Sequence, residues 1–107
     1  MSEMQSVSQV DFQREVLDSQ EPVLVDFSAE WCHPCKALDP LVEQLAEEWK
    51  GRVRVVKLDA DQSPEILMKY SVLGIPSLLL FKGGQLLERV SGYQSRDKLI
   101  SKFTPHF

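Results

Sequence analysis

Val25-Asp26-Phe27-Ser28-Ala29-Glu30-Trp31-Cys32-His33-Pro34-Cys35-Lys36 is the stretch on which the fold of this chain turns. Its first residues close a run, Val23 to Phe27, that is apolar on both sides of the pleat except at Asp26, as expected of an interior strand covered on both faces. Beyond it, apolar residues recur from Cys35 at Leu38, Leu41, Val42, Leu45 and Trp49 and stop at Gly51. That spacing predicts a long helix, with a kink at Pro40. Cys32 and Cys35 fall on one helical turn and face the same way, so their sulfurs can close a bond with little backbone movement. Cys32, at the helix N-terminus, meets unpaired N–H groups and the positive end of the helix dipole, which favour the attacking thiolate. Cys35, one turn deeper, is the shielded, resolving thiol. Pro34 lies in the first turn, where its missing N–H costs little.

Working outward, Ser8-Gln9-Val10-Asp11 resembles a capping box, and Val10, Phe12, Val16 and Leu17 form an apolar stripe on a helix ending near Gln20. A weak strand is possible at Met4 to Val7, and Val53 to Leu58 reads as a second strong strand. Ser63-Pro64 predicts an N-cap followed by proline at the first helical position, opening a short helix through Tyr70 and ended by Gly74. Gly83-Gly84 between Ser77–Phe81 and Leu86–Val90 is a hairpin signal. Ser95 caps a last helix carrying Leu99, Ile100 and Phe103, limited by Pro105. Alternation of this kind predicts an α/β layer with parallel crossovers and an antiparallel edge. No repeat, low-complexity tract or linker interrupts it, so residues 1–107 read as one domain.

At 107 residues, with 43% hydrophobic and 26% charged residues, the chain can form one core without metal or disulfide staples, so its two cysteines point to chemistry. A net charge of −4 disfavours a nucleic-acid partner. Met1 to Gln5 shows neither a basic n-region nor an apolar run behind it, and the apolar run Leu78 to Phe81 is far too short to span a bilayer. The default compartment is therefore a reducing cytoplasm, although a chain whose targeting segment had been removed would look the same. There, a nearby cysteine pair is redox-active or metal-binding. Zinc needs about four ligands, and this chain adds only His33, poorly placed between the cysteines, and the distant His106. An intramolecular metal site is not expected; one shared across a dimer stays open, as does a purely structural disulfide.

The chain resembles the thioredoxin family over essentially its whole length. The resemblance is carried by Val25-Asp26-Phe27, Ala29-Glu30-Trp31-Cys32, Pro34-Cys35-Lys36, Pro40, Lys57, Asp59 to Gln62, Gly74-Ile75-Pro76, Leu78 to Lys82, Gly84 and Gly92. It implies a thioredoxin fold, a central mixed five-stranded sheet flanked by four helices, acting as a protein-disulfide reductase. The counterpart of Cys32 attacks a substrate disulfide and that of Cys35 resolves the mixed disulfide. No cofactor is held, because an external thioredoxin reductase, either a flavoprotein or a ferredoxin-linked enzyme, resets the pair; a monomer is expected.

From the strand pattern alone Asp26 could equally be a surface acid. The resemblance makes it a buried carboxylate behind Cys35, its pKa raised by desolvation, able to take the resolving thiol's proton. Lys57, otherwise a solvated strand-end lysine, would moderate that shift, and Lys36 joins Pro34 and His33 as residues that tune the cysteine pair. Only about 5% of X-Pro bonds in folded proteins are cis, but the resemblance implies a cis Ile75-Pro76 bond that leaves Ile75 free to pair with an extended substrate. Trp31, Ala60, Gly74, Ile75, Pro76 and Gly92 would form the flat apolar rim around it. Trp49 reads as core, with Tyr70 and Tyr93 as candidates for the same.

Two positions depart from the family pattern. Ser28 stands where a bulky aromatic is common, predicting looser packing over the active-site turn. His33 replaces a glycine, and a charged imidazole beside Cys32 would favour the thiolate and make the protein a weaker reductant. The helix N-terminus opposes that charge. His33 thus motivates a more oxidising, isomerase-like alternative. A non-redox binding or chaperone module is the alternative from another class, although docking alone requires neither the cysteine pair nor Asp26.

Overall fold

All six residues of Val23–Ser28 are buried, and the rest of the molecule is arranged around that strand. The computed structural model describes residues 4–107; Met1 to Glu3, which belong to the N-terminal reading and to the 1–107 domain, lie outside the described residues. The strands are β1 (Gln5–Val7), β2 (Val23–Ser28), β3 (Arg54–Asp59), β4 (Ser77–Lys82) and β5 (Gln85–Ser91). They form one mixed sheet in the order β1-β3-β2-β4-β5. β3 runs parallel to both β1 and β2, while β4 is antiparallel to β2 and β5. The helices α1 (His33–Glu48), α2 (Pro64–Lys69) and α3 (Arg96–Phe103), with a helical turn at Gln13–Leu17, complete the thioredoxin fold.

Side chains alternate across the sheet, so the two faces carry separate cores. Val23, Val25 and Phe27 pack with Phe12, Val16, Val56, Leu58, Leu79 and Phe81 on one face. On the other, Leu24 meets Leu38, Val42 and Leu45 of α1, Leu78 and Leu80 of β4, and Leu99 and Phe103 of α3. Asp26 and Ser28 share the parity of Leu24 and so continue this second face toward the start of α1. The residues paired with Asp26 in register are Lys57 and Leu78.

Local signals account for several boundaries. Gly83 and Gly84 both take positive φ, 59° and 79°, in the two-residue turn joining β4 to β5. A Cβ on Gly84 would also stand 3.2 Å from the Leu17 carbonyl. Ser95 Oγ accepts the Lys98 N–H at 3.2 Å and caps α3. Trp49 and Tyr70 are packed as expected, against Phe107 and against Phe12 and Phe81 respectively.

Several expectations change in detail. The first helix is shorter than predicted: Ser8 Oγ does accept the Asp11 N–H, but Val10 is exposed in the turn and the segment closes as a π turn, Asp18 N–H to Gln13 carbonyl at 2.8 Å. Ser63 and Pro64 take the N-cap and first helical positions as predicted, but the Ser63 hydroxyl makes no capping bond. Gln9 Oε1 accepts the N–H groups of Glu65 and Ile66 at 2.8 and 3.3 Å instead, a cap supplied from across the fold. Tyr93 is exposed, so it is not core. At Pro40 α1 continues without interruption, with that residue on its exposed side.

Candidate active site

Cys32 is the N-cap of α1, in extended backbone conformation, and its sulfur accepts the Cys35 N–H at 3.3 Å. It occupies the place a serine hydroxyl often takes, so an amide that the helix leaves unpaired points at sulfur. Cys32 and Cys35 are joined as a disulfide with Cα atoms 5.3 Å apart. Both are buried, Cys35 completely and Cys32 to 2% exposure, in a small apolar cluster with Ala29 and Ile75. The outer cysteine is therefore more covered than its place at the helix mouth suggested. His33, Pro34 and Lys36 are exposed around the turn. The Ile75–Pro76 bond is cis, as the family likeness implied.

Asp26 is wholly buried, and no protein donor reaches either of its carboxylate oxygens. Burial is the main reason its pKa is raised well above 3.8. The neighbouring Asp39 carboxyl adds to the rise, both by favouring a proton held between the two acids and by its charge; Lys57 opposes the rise and Glu43 adds a little. The surface-acid alternative for Asp26 is thereby removed.

Lys57 does not pair with Asp26 directly. Its Nζ lies 2.9 Å from Asp39 Oδ2, which also accepts a hydrogen bond from Ser28 Oγ at 3.1 Å. That partnership is the first cause of the raised Lys57 pKa. Asp39 went unnoticed in the sequence, yet a signal was there. Cys35, Leu38, Asp39, Val42, Leu45 and Ala46 form the buried stripe of α1, so an acid occupies a core position one turn beyond Cys35. Ser28, Asp39 and Lys57 also line a cavity of about 670 Å³ that includes Lys36, Asp59 and Ser63.

Of the residues assigned to the rim, Trp31 is 68% exposed, and its indole N–H donates to Asp61 Oδ2 at 2.7 Å. Gly74 is exposed and Ile75 half-buried against the cysteines. Ala60 and Pro76 are buried and do not face solvent. Gly92 donates its N–H to the Pro76 carbonyl at 2.8 Å. Leu73, not singled out in the sequence, is 97% exposed next to Gly74. Among the described residues no group of three or more His, Cys, Asp or Glu side chains is placed to hold a metal ion, and no helix is long and apolar enough to cross a membrane.

The thioredoxin family model matches residues 3–104. Thioredoxin 1 of a Nostoc species is 40% identical over 106 residues, covering 99% of both chains. A Synechocystis thioredoxin is 43% identical over 94% of both, and thioredoxin C-2 of Corynebacterium nephridii is 45% identical over 85% of this chain and 84% of its own.

Proposed function

Because the chain belongs to the thioredoxin family and is a protein-disulfide oxidoreductase working by dithiol–disulfide exchange, we propose that Cys32 is its attacking sulfur, Cys35 its resolving sulfur and Asp26 the proton acceptor behind them. In the dithiol form the Cys32 thiolate, faced by the Cys35 amide, attacks a substrate disulfide. One substrate thiolate leaves with the electron pair and a mixed disulfide forms. Cys35 then gives its proton to Asp26 as its sulfur attacks Cys32, closing the ring and releasing the second substrate sulfur as a thiolate, which solvent protonates. Two electrons leave the cysteine pair for each substrate disulfide reduced. The observation that carries these roles is the closed Cys32–Cys35 bond at the N-terminus of α1, on the sheet face where Asp26 is buried without a protein donor.

The substrate would lie extended along Trp31, Gly74 and Ile75, with Leu73 extending the apolar surface and Ala60, Pro76 and Gly92 supporting it. No cofactor is needed on the chain itself; a thioredoxin reductase would return the electrons. We further propose a single-domain, cytoplasmic monomer. Insulin reduction with such a reductase tests the assignment. Turnover is lost in both Cys32→Ser and Cys35→Ser, and only Cys35→Ser accumulates a substrate mixed disulfide. A mixed disulfide trapped on Cys35 in the Cys32→Ser protein instead would reverse the two roles.

A further inference from the structure

We propose that Asp39 is a positioning residue for the resolving step: it takes Lys57 away from Asp26 and puts a second acid behind Cys35. Asp26 on β2 and Lys57 on β3 are register partners on the face covered by α1, so a lysine and an acid start side by side. They nevertheless do not bond. Lys57 reaches Asp39 at 2.9 Å, the Ser28 hydroxyl reaches the same Asp39 oxygen at 3.1 Å, and both Asp26 oxygens are left without a protein donor in the interior. Ser28 and Asp39 act together here, since the Ser28 hydroxyl supplies the acid's second donor. The remaining charged groups around the acids are Glu43 on α1 and, along the cavity, Asp11, Glu30, Lys36 and Asp59. The cavity gives solvent a way to the Asp39–Lys57 pair, while Asp26 stays sealed.

The consequence, which rests on Asp26 accepting the Cys35 proton, has a definite sign. Asp39 acts on Asp26 in the direction that holds its proton, and Lys57 in the direction that releases it. In Asp39→Asn the like charge is gone and Lys57 is free to turn to Asp26. Asp26 then ionises at lower pH and becomes a base earlier. The measurement is the rate at which Cys35 displaces a chromophoric thiol from Cys32, followed against pH. We expect the rising limb of Asp39→Asn to move down by about one pH unit, making resolution up to about tenfold faster below the wild-type midpoint. Asp39→Ala should move it the same way and serves if the asparagine variant folds poorly. The ¹³C titration of the Asp26 carboxyl should shift in parallel.

The same limb should vanish in Asp26→Asn, with Asp39→Asn adding no further pH effect in that background. If Asp26→Asn abolishes the limb but neither Asp39 variant moves it, the role of Asp39 is overturned and that of Asp26 stands. A limb that persists in Asp26→Asn overturns the proton-acceptor assignment, and the present proposal with it.

Discussion

Two neighbouring rows on one face of the sheet have different jobs. Leu24, Val55 and Leu80 face one another across β2, β3 and β4, under the middle of α1 and under α3. Two residues further along the strands, the row reads Asp26, Lys57 and Leu78, beneath the first turns of α1. The rows stand only about 7 Å apart, two strand residues. In the first, every side chain is apolar and covered by leucines. In the second, a carboxylate is buried with no donor while its neighbouring lysine is bound elsewhere. One row holds the protein together, and the other gives up some of that stability to bury an acid.

Breaking the apolar row should have the largest effect. Leu80→Ala removes a fully buried side chain and is expected to destabilise the fold by about 2–5 kcal/mol. Chemical denaturation measures this, and because the loss lies in packing it should be the same at pH 6 and pH 8. A strongly pH-dependent loss would mean that the two rows are not energetically separate.

The acidic row should respond in the opposite sense. Because folding raises the Asp26 pKa, the native state binds more protons than the unfolded chain once pH exceeds 3.8. The stability charged to this group therefore declines as pH rises from that value through the folded pKa, and levels off above it. Asp26→Asn should melt higher than wild type at neutral and alkaline pH, where each kcal/mol is worth about 4 °C or more for a chain of this size. The difference should close near the ordinary carboxyl value. The same substitution should slow resolution of mixed disulfides by about 10²-fold, within the range for loss of a general base. A variant slower but no more stable at alkaline pH would contradict desolvation as the main cause of the raised pKa.

Smaller effects belong to the surface above the second row. His33→Gly is expected to make the redox potential more negative by about 30 mV, equivalent to roughly 1.4 kcal/mol for two electrons. Equilibration with glutathione measures it, and an equal or less negative value would remove His33 as the source of a more oxidising character. Asp61→Asn weakens the acceptor that holds the Trp31 indole at 2.7 Å. It should cost substrate docking about 1 kcal/mol, read as a rise of several-fold in KM with kcat preserved.

The sequence made the first row almost wholly legible and the second only in part. The nearly unbroken apolar run Val23 to Phe27 and the Leu38–Val42–Leu45 spacing identify a strand covered on both faces and the helix face above it, because an interior strand is apolar on both sides and a surface helix only along one stripe. The helical period puts Asp39 on the buried stripe of α1, whereas the strand pattern left Asp26 open and only the family resemblance placed it in the interior. Neither says that the two acids meet, or that Lys57 chooses Asp39. Those facts depend on how strand and helix register against each other, and that register is set by the whole fold. The α2 cap was hidden for a related reason: Ser63-Pro64 has the right local chemistry, but Gln9 arrives from 56 residues away to accept the Glu65 N–H.

That cap ties the loop after β1 to the first turn of α2, beside the buried Ser63 hydroxyl on the cavity wall. Detachment of the N-terminal segment would expose the Glu65 and Ile66 amides to solvent deuterium even while α2 kept its own helical bonds. Those two protons would therefore report the loosening of a distant stretch of chain, with an exchange rate that follows the release of Gln9 and not the melting of the helix that carries them.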